Sequence, residues 1–223
     1  GVEADDVIGT LALQGAAEGI EVTVSTGDKD MAQLVRPHVV LVNTMSGSRL
    51  DSDAAVIDKF GVRADQIVDY LALMGDAVDN IPGVHKCGPK TAAKWLDEYG
   101  TLDGVIEHAG KIGGKIGESL REALPRLPLN RELTTIKTDL ALHEAPGELH
   151  LRERDVEALR VLYTRYGFNQ ALKELDGGAV RLFELAREDA RGAAVAPDGD
   201  VEQEVRSGHS RDAQRFVTAR VAF

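Results

Sequence analysis

Carboxylates carry the first signal in this 223-residue chain. They gather as Glu3, Asp5 and Asp6, then Asp28 and Asp30, then Asp76 and Asp79, with a further scatter toward the C-terminus. Crowded carboxylates repel one another, and they persist at functional sites when a hard cation neutralises them. Mg²⁺ takes oxygen ligands, keeps some of its waters and suits phosphate chemistry. Two such ions about 3.5–4 Å apart clamp the attacking and leaving oxygens of a phosphodiester, and separate acidic clusters can supply both. Each cluster alone also has a plainer reading. Glu3, Asp5 and Asp6 complement a helix dipole, Asp28 and Asp30 suit a turn and an N-cap, and Asp76 suits a turn. Together they weigh more, because each falls at a strand end or helix start that can face one cleft.

A second feature is the segment from Ile81 to Ala92, which reads as a helix-hairpin-helix. Gly83 and Gly88 allow close approach of backbone to a phosphate. Free amides at the start of the following helix bind anions, and Lys86, Lys90 and Lys94 add charge without demanding a base sequence. The plainer reading is a packing element with solvated lysines. His85 reads as an exposed loop residue. Cys87 reads as a small buried hydrophobe, since no catalytic partner is evident.

These residues need elements to position them. Residues 3–17 show helical spacing of Val7, Ile8, Leu11 and Ala12. Glu21–Ser25 is β-branched and reads as a strand, and the unbroken apolar run Val39–Asn43 reads as a strand buried on both faces. A short helix is predicted over residues 30–35 between them. Strand, helix, strand in that order implies an α/β layer with a parallel sheet. The acids at 28 and 30 then lie past the C-terminal end of a strand, where open α/β sheets bind ligands. Only two strands are legible, so the sheet reads as incomplete. Helices are predicted over residues 54–60, 63–74, 90–99, 116–124, 131–135 and 155–165, with a loop or tight hairpin over 76–88. On the last helix Val156, Leu159, Leu162 and Tyr163 share a face. Beyond Leu185 the apolar periodicity fades, and the composition reads as linker or disordered tail.

Lys and Arg number 26 against 37 Asp and Glu, a formal net charge of −11. That excludes an overall basic wrap for nucleic acid but not a local patch. One cysteine allows no internal disulfide, in keeping with a cytoplasmic protein. No apolar run approaches the roughly 20 residues that span a bilayer.

Three stretches in order resemble the 5′-3′ exonuclease domain of bacterial DNA polymerases I, part of the flap endonuclease family. They are Gly1-Val2-Glu3-Ala4-Asp5-Asp6, Ser25-Thr26-Gly27-Asp28-Lys29-Asp30, and Leu73-Met74-Gly75-Asp76-Ala77-Val78-Asp79-Asn80-Ile81-Pro82-Gly83. Thr135-Ile136-Lys137-Thr138-Asp139 resembles the segment that closes that domain. The resemblance covers roughly residues 1–175. It implies a partial parallel-sheet nuclease core of the PIN or flap-endonuclease kind over residues 1–70. A helical subdomain with a helix-three-turn-helix follows over 71–175, then a linker or tail over 176–223.

The resemblance also implies an activity. Two Mg²⁺ or Mn²⁺ ions activate a water that attacks a phosphodiester near a 5′ end or flap junction, in primer removal and repair. Glu3, Asp5 and Asp6 match ligands around the first ion, and Asp28, Asp30 and Asp76 match others, with Asp79 as a supporting acid. Gly83, Lys86, Gly88, Lys90, Thr91 and Lys94 match the duplex-holding hairpin, which in the family also holds K⁺ through carbonyls. The implied partner is double-stranded DNA with a 5′ flap or 5′ end. The implied state is a soluble monomer, fused to polymerase domains in a longer protein. Lys86 stands where the family pattern has glycine, which implies a strained backbone or an added phosphate contact. The chain starts at Gly1 without the family's first strand, its aspartates and its basic arch. It is therefore expected to be a C-terminal portion of the domain that cleaves poorly by itself. The rival readings are a non-catalytic, sequence-independent duplex-binding module and a related metal-dependent RNase.

Overall fold

The computed structural model describes residues 1–150, 153–176 and, as backbone, 216–220. The chain forms two compact units, one of Gly1–Leu149 with Ala213–Phe223, the other of His150–Asp212. The first unit crosses the boundary expected at residue 70. One continuous apolar cluster runs from Ile8 and Val24 through Met31, Leu71 and Leu96 to Leu120 and Leu127. Burial of that size favours a single body over two.

Helix α1 (Ala4–Ala17) opens the first unit and ends before Gly19, whose φ is 71°. Strand β1 (Glu21–Ser25) follows, buried at Val22 and Val24. Next come a 3₁₀ turn (Asp30–Leu34) and strand β2 (Val39–Asn43). β1 and β2 pair in parallel from Val22 opposite Val39 to Ser25 opposite Val42. β2 was expected to be buried on both faces; instead Val39 and Leu41 are buried while Val40 and Val42 are half-buried. Strand β3 (Ser48–Leu50), not legible in the sequence, lies antiparallel to β2. Three residues around the turn at Gly47 carry too little periodicity to be read as a strand.

The rest of the first unit is helical. Helix α2 (Asp53–Phe60) is capped by the Ser52 hydroxyl, which accepts the Ala55 N–H. A 3₁₀ turn (Ala64–Gln66) leads into α3 (Ile67–Met74), which ends in a small hairpin of β4 (Gly75–Asp76) and β5 (Ile81–Pro82). Then follow α4 (Pro89–Tyr99), α5 (Leu102–Glu107), α6 (Gly114–Ala123) and α7 (Leu127–Thr134). α5 carries a Thr101 cap on the Gly104 amide, a start signal too short to be followed by visible periodicity.

In the second unit, α8 (Val156–Tyr166) and α9 (Asn169–Asp176) form a helical hairpin through Gly167, whose φ is 71°. Tyr163 and Phe168 meet edge to face at 6.1 Å across the turn. The apolar face expected on α8 buries no residue, and Val156 and Leu162 are exposed.

Backbone at Phe216–Arg220 forms β6, parallel to β1, completing a sheet of order β3-β2-β1-β6. That stretch of the expected linker or tail is therefore a strand. Its neighbour β1 exposes one set of ladder groups that any extended segment can satisfy, whatever its place in the chain. Residues 177–215 and 221–223 of the expected tail lie outside the described residues. No helix among the described residues is long and apolar enough to cross a membrane.

Candidate metal centre and nucleic-acid interface

The parallel pair brings Asp28 and Asp30 to the end of β1, and the β4–β5 hairpin brings Asp76 and Asp79 to the same place. Asp30, Asp76 and Asp79 each offer a carboxylate oxygen within 4.8 Å of the others. Asp28 forms the turn, its Oδ1 accepting the Asp30 N–H at 2.9 Å. Asp76 is buried, and its Oδ1 accepts the Val78 N–H at 2.7 Å. Asp28 and Asp76 thus each spend one oxygen on a local turn.

The charges interact. Burial first, then Asp28, Asp76 and Asp79, push the Asp30 carboxyl up to about 6, with Lys29 pulling the other way. Asp30 Oδ1 is buried without a hydrogen-bond partner among the described residues. Burial and then Asp28, Glu3, Asp6 and Asp79 also raise Asp5 above the ordinary range, so α1 faces the same field. A buried carboxylate oxygen without a hydrogen bond, among closely spaced acids, suits a divalent ion, so the donor set fits a hard cation.

Lys29 was not singled out from the sequence. Its ammonium ion-pairs with Asp76 and lies 3.6 Å from Asp30 Oδ1. That hydrogen bond is the largest cause holding the Asp76 carboxyl below its usual range. Burial opposes the Lys29 charge, but Asp76, Asp30 and Asp28 raise its pKa. Its place between two of the acids was the available signal.

Asp6, expected as a ligand, is also a structural anchor. It is buried, and both oxygens accept backbone amides, Glu3 N–H at 3.0 Å and Lys137 N–H at 2.8 Å. Burial alone would raise its carboxyl, yet these two donors bring it below the usual range. Glu3 is exposed at the start of α1.

The hairpin segment continues from β5 through an exposed His85 and Lys86 into α4. Lys86 adopts a φ of 63°, the left-handed backbone that the missing glycine would have accommodated without strain. Gly88 caps α4, with open space where a side chain would stand, and Lys90 and Lys94 are exposed while Thr91 is half-buried. The first amides of α4 point outward toward any anion at that end. At Gly83 a Cβ would lie 2.2 Å from the Met74 carbonyl, so the glycine is required for close packing beneath the loop. Cys87 is buried, and burial pushes its thiol up to about 12.

Comparison with known proteins places these features in a lineage. Residues 1–61 match the family model described as 5′-3′ exonuclease, N-terminal resolvase-like domain. Residues 62–157 match that of the 5′-3′ exonuclease, C-terminal SAM fold. The chain belongs to the 5′-3′ exonuclease family. DNA polymerase I of Pseudomonas aeruginosa is 48% identical over 187 residues, covering 78% of this chain and 20% of that protein. DNA polymerase I of Mycobacterium tuberculosis is 38% identical over 211 residues, covering 93% of the chain and 22% of that protein. The exonuclease-family chain thus spans about a fifth of the length of these relatives. Among solved structures, a zinc-bound bacteriophage T5 5′-exonuclease aligns with a TM-score of 0.57 at 24% identity, over 62% of this chain and 51% of that one. A T5 flap endonuclease complex with DNA and metal ions aligns with a TM-score of 0.56 at 20% identity, over 78% of this chain and 60% of that one. At such identities these likenesses bear on the fold, an α/β layer followed by helices. The family boundary at residue 61 falls earlier than the expected one at 70.

Proposed function

We propose that this chain is the part of a DNA polymerase I that hydrolyses DNA from a 5′ end or 5′ flap, with divalent metal held by the acid cluster. The observation that carries the reading is the trio Asp30, Asp76 and Asp79, with Asp30 Oδ1 making no hydrogen bond among the described residues, and with Asp76 and Asp79 on the hairpin that runs into the start of α4. Asp30, Asp76 and Asp79 would hold one Mg²⁺ or Mn²⁺ ion, and Asp5 and Asp28, electrostatically coupled to them, would hold the second. Bound divalent ions would supply Lewis-acid activation of water and neutralise charge on the phosphate.

The protein's own contribution is placement. Lys86, Lys90 and Lys94 and the first amides of α4 hold the phosphate backbone without reading bases. Asp76 and Asp79 sit at the base of that same hairpin, so gripping the duplex brings a phosphodiester to the acids. Lys29 balances the acids from within through its ion pair with Asp76.

The test is a labelled 5′-flap duplex incubated with the chain in Mg²⁺, Mn²⁺ or chelator, with Mn²⁺ binding measured by calorimetry in parallel. Metal-dependent cleavage near the junction supports the reading. Binding of both Mn²⁺ and duplex without cleavage, by the chain alone and with the family's upstream strand and arch restored, converts it to a non-catalytic module. Absence of Mn²⁺ binding overturns the metal site outright.

A further inference from the structure

α7 and the segment after it have no part in the chemistry above, yet they touch the hairpin, α1 and the turn that begins with Asp30. α7 clamps the hairpin. Asn130 Nδ2 donates to the Pro82 carbonyl at 2.8 Å and to the Ala72 carbonyl at 3.1 Å, and Arg126 Nη2 donates to the Gly83 carbonyl at 2.9 Å. The chain then runs on as a strap over residues 134–140, across the elements that carry the other acids. Gln33, on the 3₁₀ turn that begins with Asp30, donates to the Asp30 carbonyl at 2.8 Å and the Thr134 carbonyl at 3.0 Å. Its Oε1 accepts the Ile136 N–H at 3.1 Å.

α1 is tied in the same way. Asp6 accepts the Lys137 N–H, Thr10 Oγ1 donates to the Lys137 carbonyl at 3.4 Å, and Thr10 Oγ1 accepts the Leu140 N–H at 3.3 Å. A Cβ at Gly9 would lie 2.7 Å from Ile136, so helix and strap are in close contact. Thr10 is fully buried and Asp6 nearly so, which shields these bonds from water.

One continuous piece of chain therefore spans both halves of the site. One end grips the hairpin with Asp76, Asp79 and the phosphate-facing loop. The other grips α1 and the turn with Asp5, Asp28 and Asp30. We propose that α7 and the strap act as the gauge of the site, with Gln33 and Thr10 as positioning residues. They set the offset between the loop that holds the duplex and the acids that hold metal, and thereby where on the strand the reaction falls. The proposal rests on the metal and DNA reading above.

The experiment loads Fe²⁺ in place of Mg²⁺ and adds ascorbate and peroxide, so that hydroxyl radicals break bound DNA near the ion. It needs no hydrolytic turnover. A labelled 5′-flap duplex should break within a narrow window in the unmodified protein. Thr10→Val and Gln33→Leu should broaden that window and weaken Mn²⁺ binding about 10-fold, the scale of lost outer-shell support. Duplex affinity should not change, and Thr10→Ser, which keeps the hydroxyl, should restore the narrow window.

No localised breaks in the unmodified protein would overturn the underlying metal and DNA reading. Localised breaks that stay equally narrow in both variants would overturn the gauge alone. Were either variant to unfold, hydrogen exchange on the unmodified chain decides instead. Adding Mg²⁺ and duplex together should slow exchange at the Lys137 and Leu140 amides, and unchanged exchange there counts against the gauge.

Discussion

The acid cluster and the hairpin loop lie side by side in one unit and solve opposite problems. The cluster gathers like charges around buried oxygens, and it holds them with specific bonds: Lys29 on Asp76, backbone amides on Asp6 and Asp28. The loop gathers cations and helix amides at an exposed surface and leaves Lys86, Lys90 and Lys94 in solvent. A small divalent ion demands placement to within tenths of an ångström, so its ligands must be pre-set. A DNA backbone is a broad anionic surface whose attraction works through screened charge, so its contacts tolerate mobility.

The comparison is broken most sharply at Asp76. Asp76→Ala should lower Mn²⁺ affinity about 100-fold or more, beyond the loss seen for outer-shell partners. Duplex binding should hold or strengthen as a negative charge is lost. Calorimetric titration and a fluorescence binding assay read the two sides.

The next effect concerns pH. With Asp30 pushed up to about 6, a proton competes with metal below that value. Mn²⁺ affinity should fall about tenfold per pH unit below 6, as for one competing proton. The metal-free protein has the opposite sign for this group. The folded state holds the Asp30 proton more tightly than the unfolded chain. Its contribution therefore favours folding increasingly as pH falls through 6 toward the ordinary value of 3.8. Asp6 and Asp76 are lowered, and their stabilisation is present above the ordinary value and lost as pH falls through their folded values. The Mn²⁺-induced rise in Tm should therefore shrink between pH 7 and pH 5.

On the loop side, Lys90→Ala with Lys94→Ala should reduce duplex affinity and flatten the slope of log affinity against log salt by about 2, one for each phosphate contact. Mn²⁺ affinity should stay as it was. The smallest effect is the most diagnostic of backbone. Lys86→Gly relieves a left-handed residue and should raise stability by about 1 kcal/mol, while flattening the salt slope by about 1. A Tm that falls instead would mean that the Lys86 side chain stabilises the folded loop.

Much of this was legible before any coordinates. Glu21–Ser25 and Val39–Asn43 were read with their final bounds because β-branched runs bounded by turn residues leave few alternatives. The β3 strand and α5 were not, since three and six residues are too short for a period to show. Seven acids were named as candidates, yet the sequence did not show that Asp6 accepts a remote backbone amide. Its neighbours in sequence look like ligands. Its actual partner, the Lys137 amide, belongs to a stretch far along the chain. The packing need at Gly83 was hidden for the same reason: the crowding beneath it comes from Met74 and Gly75, folded back across the hairpin.

Residue type and short spacing by themselves determined the chemistry on offer: carboxylates for a hard cation, glycines and lysines for a phosphate backbone, helices where apolar residues recur at helical spacing. Local pattern can do this because it acts through backbone propensity and side-chain charge, which need no distant partner. Only the tertiary structure decided which acids meet, that Lys29 enters among them, that Asp6 accepts the Lys137 amide, and that the strap ties the halves together. Those outcomes depend on where packed helices bring residues that are remote in the chain, and a period of 2 or 3.6 does not encode those distances.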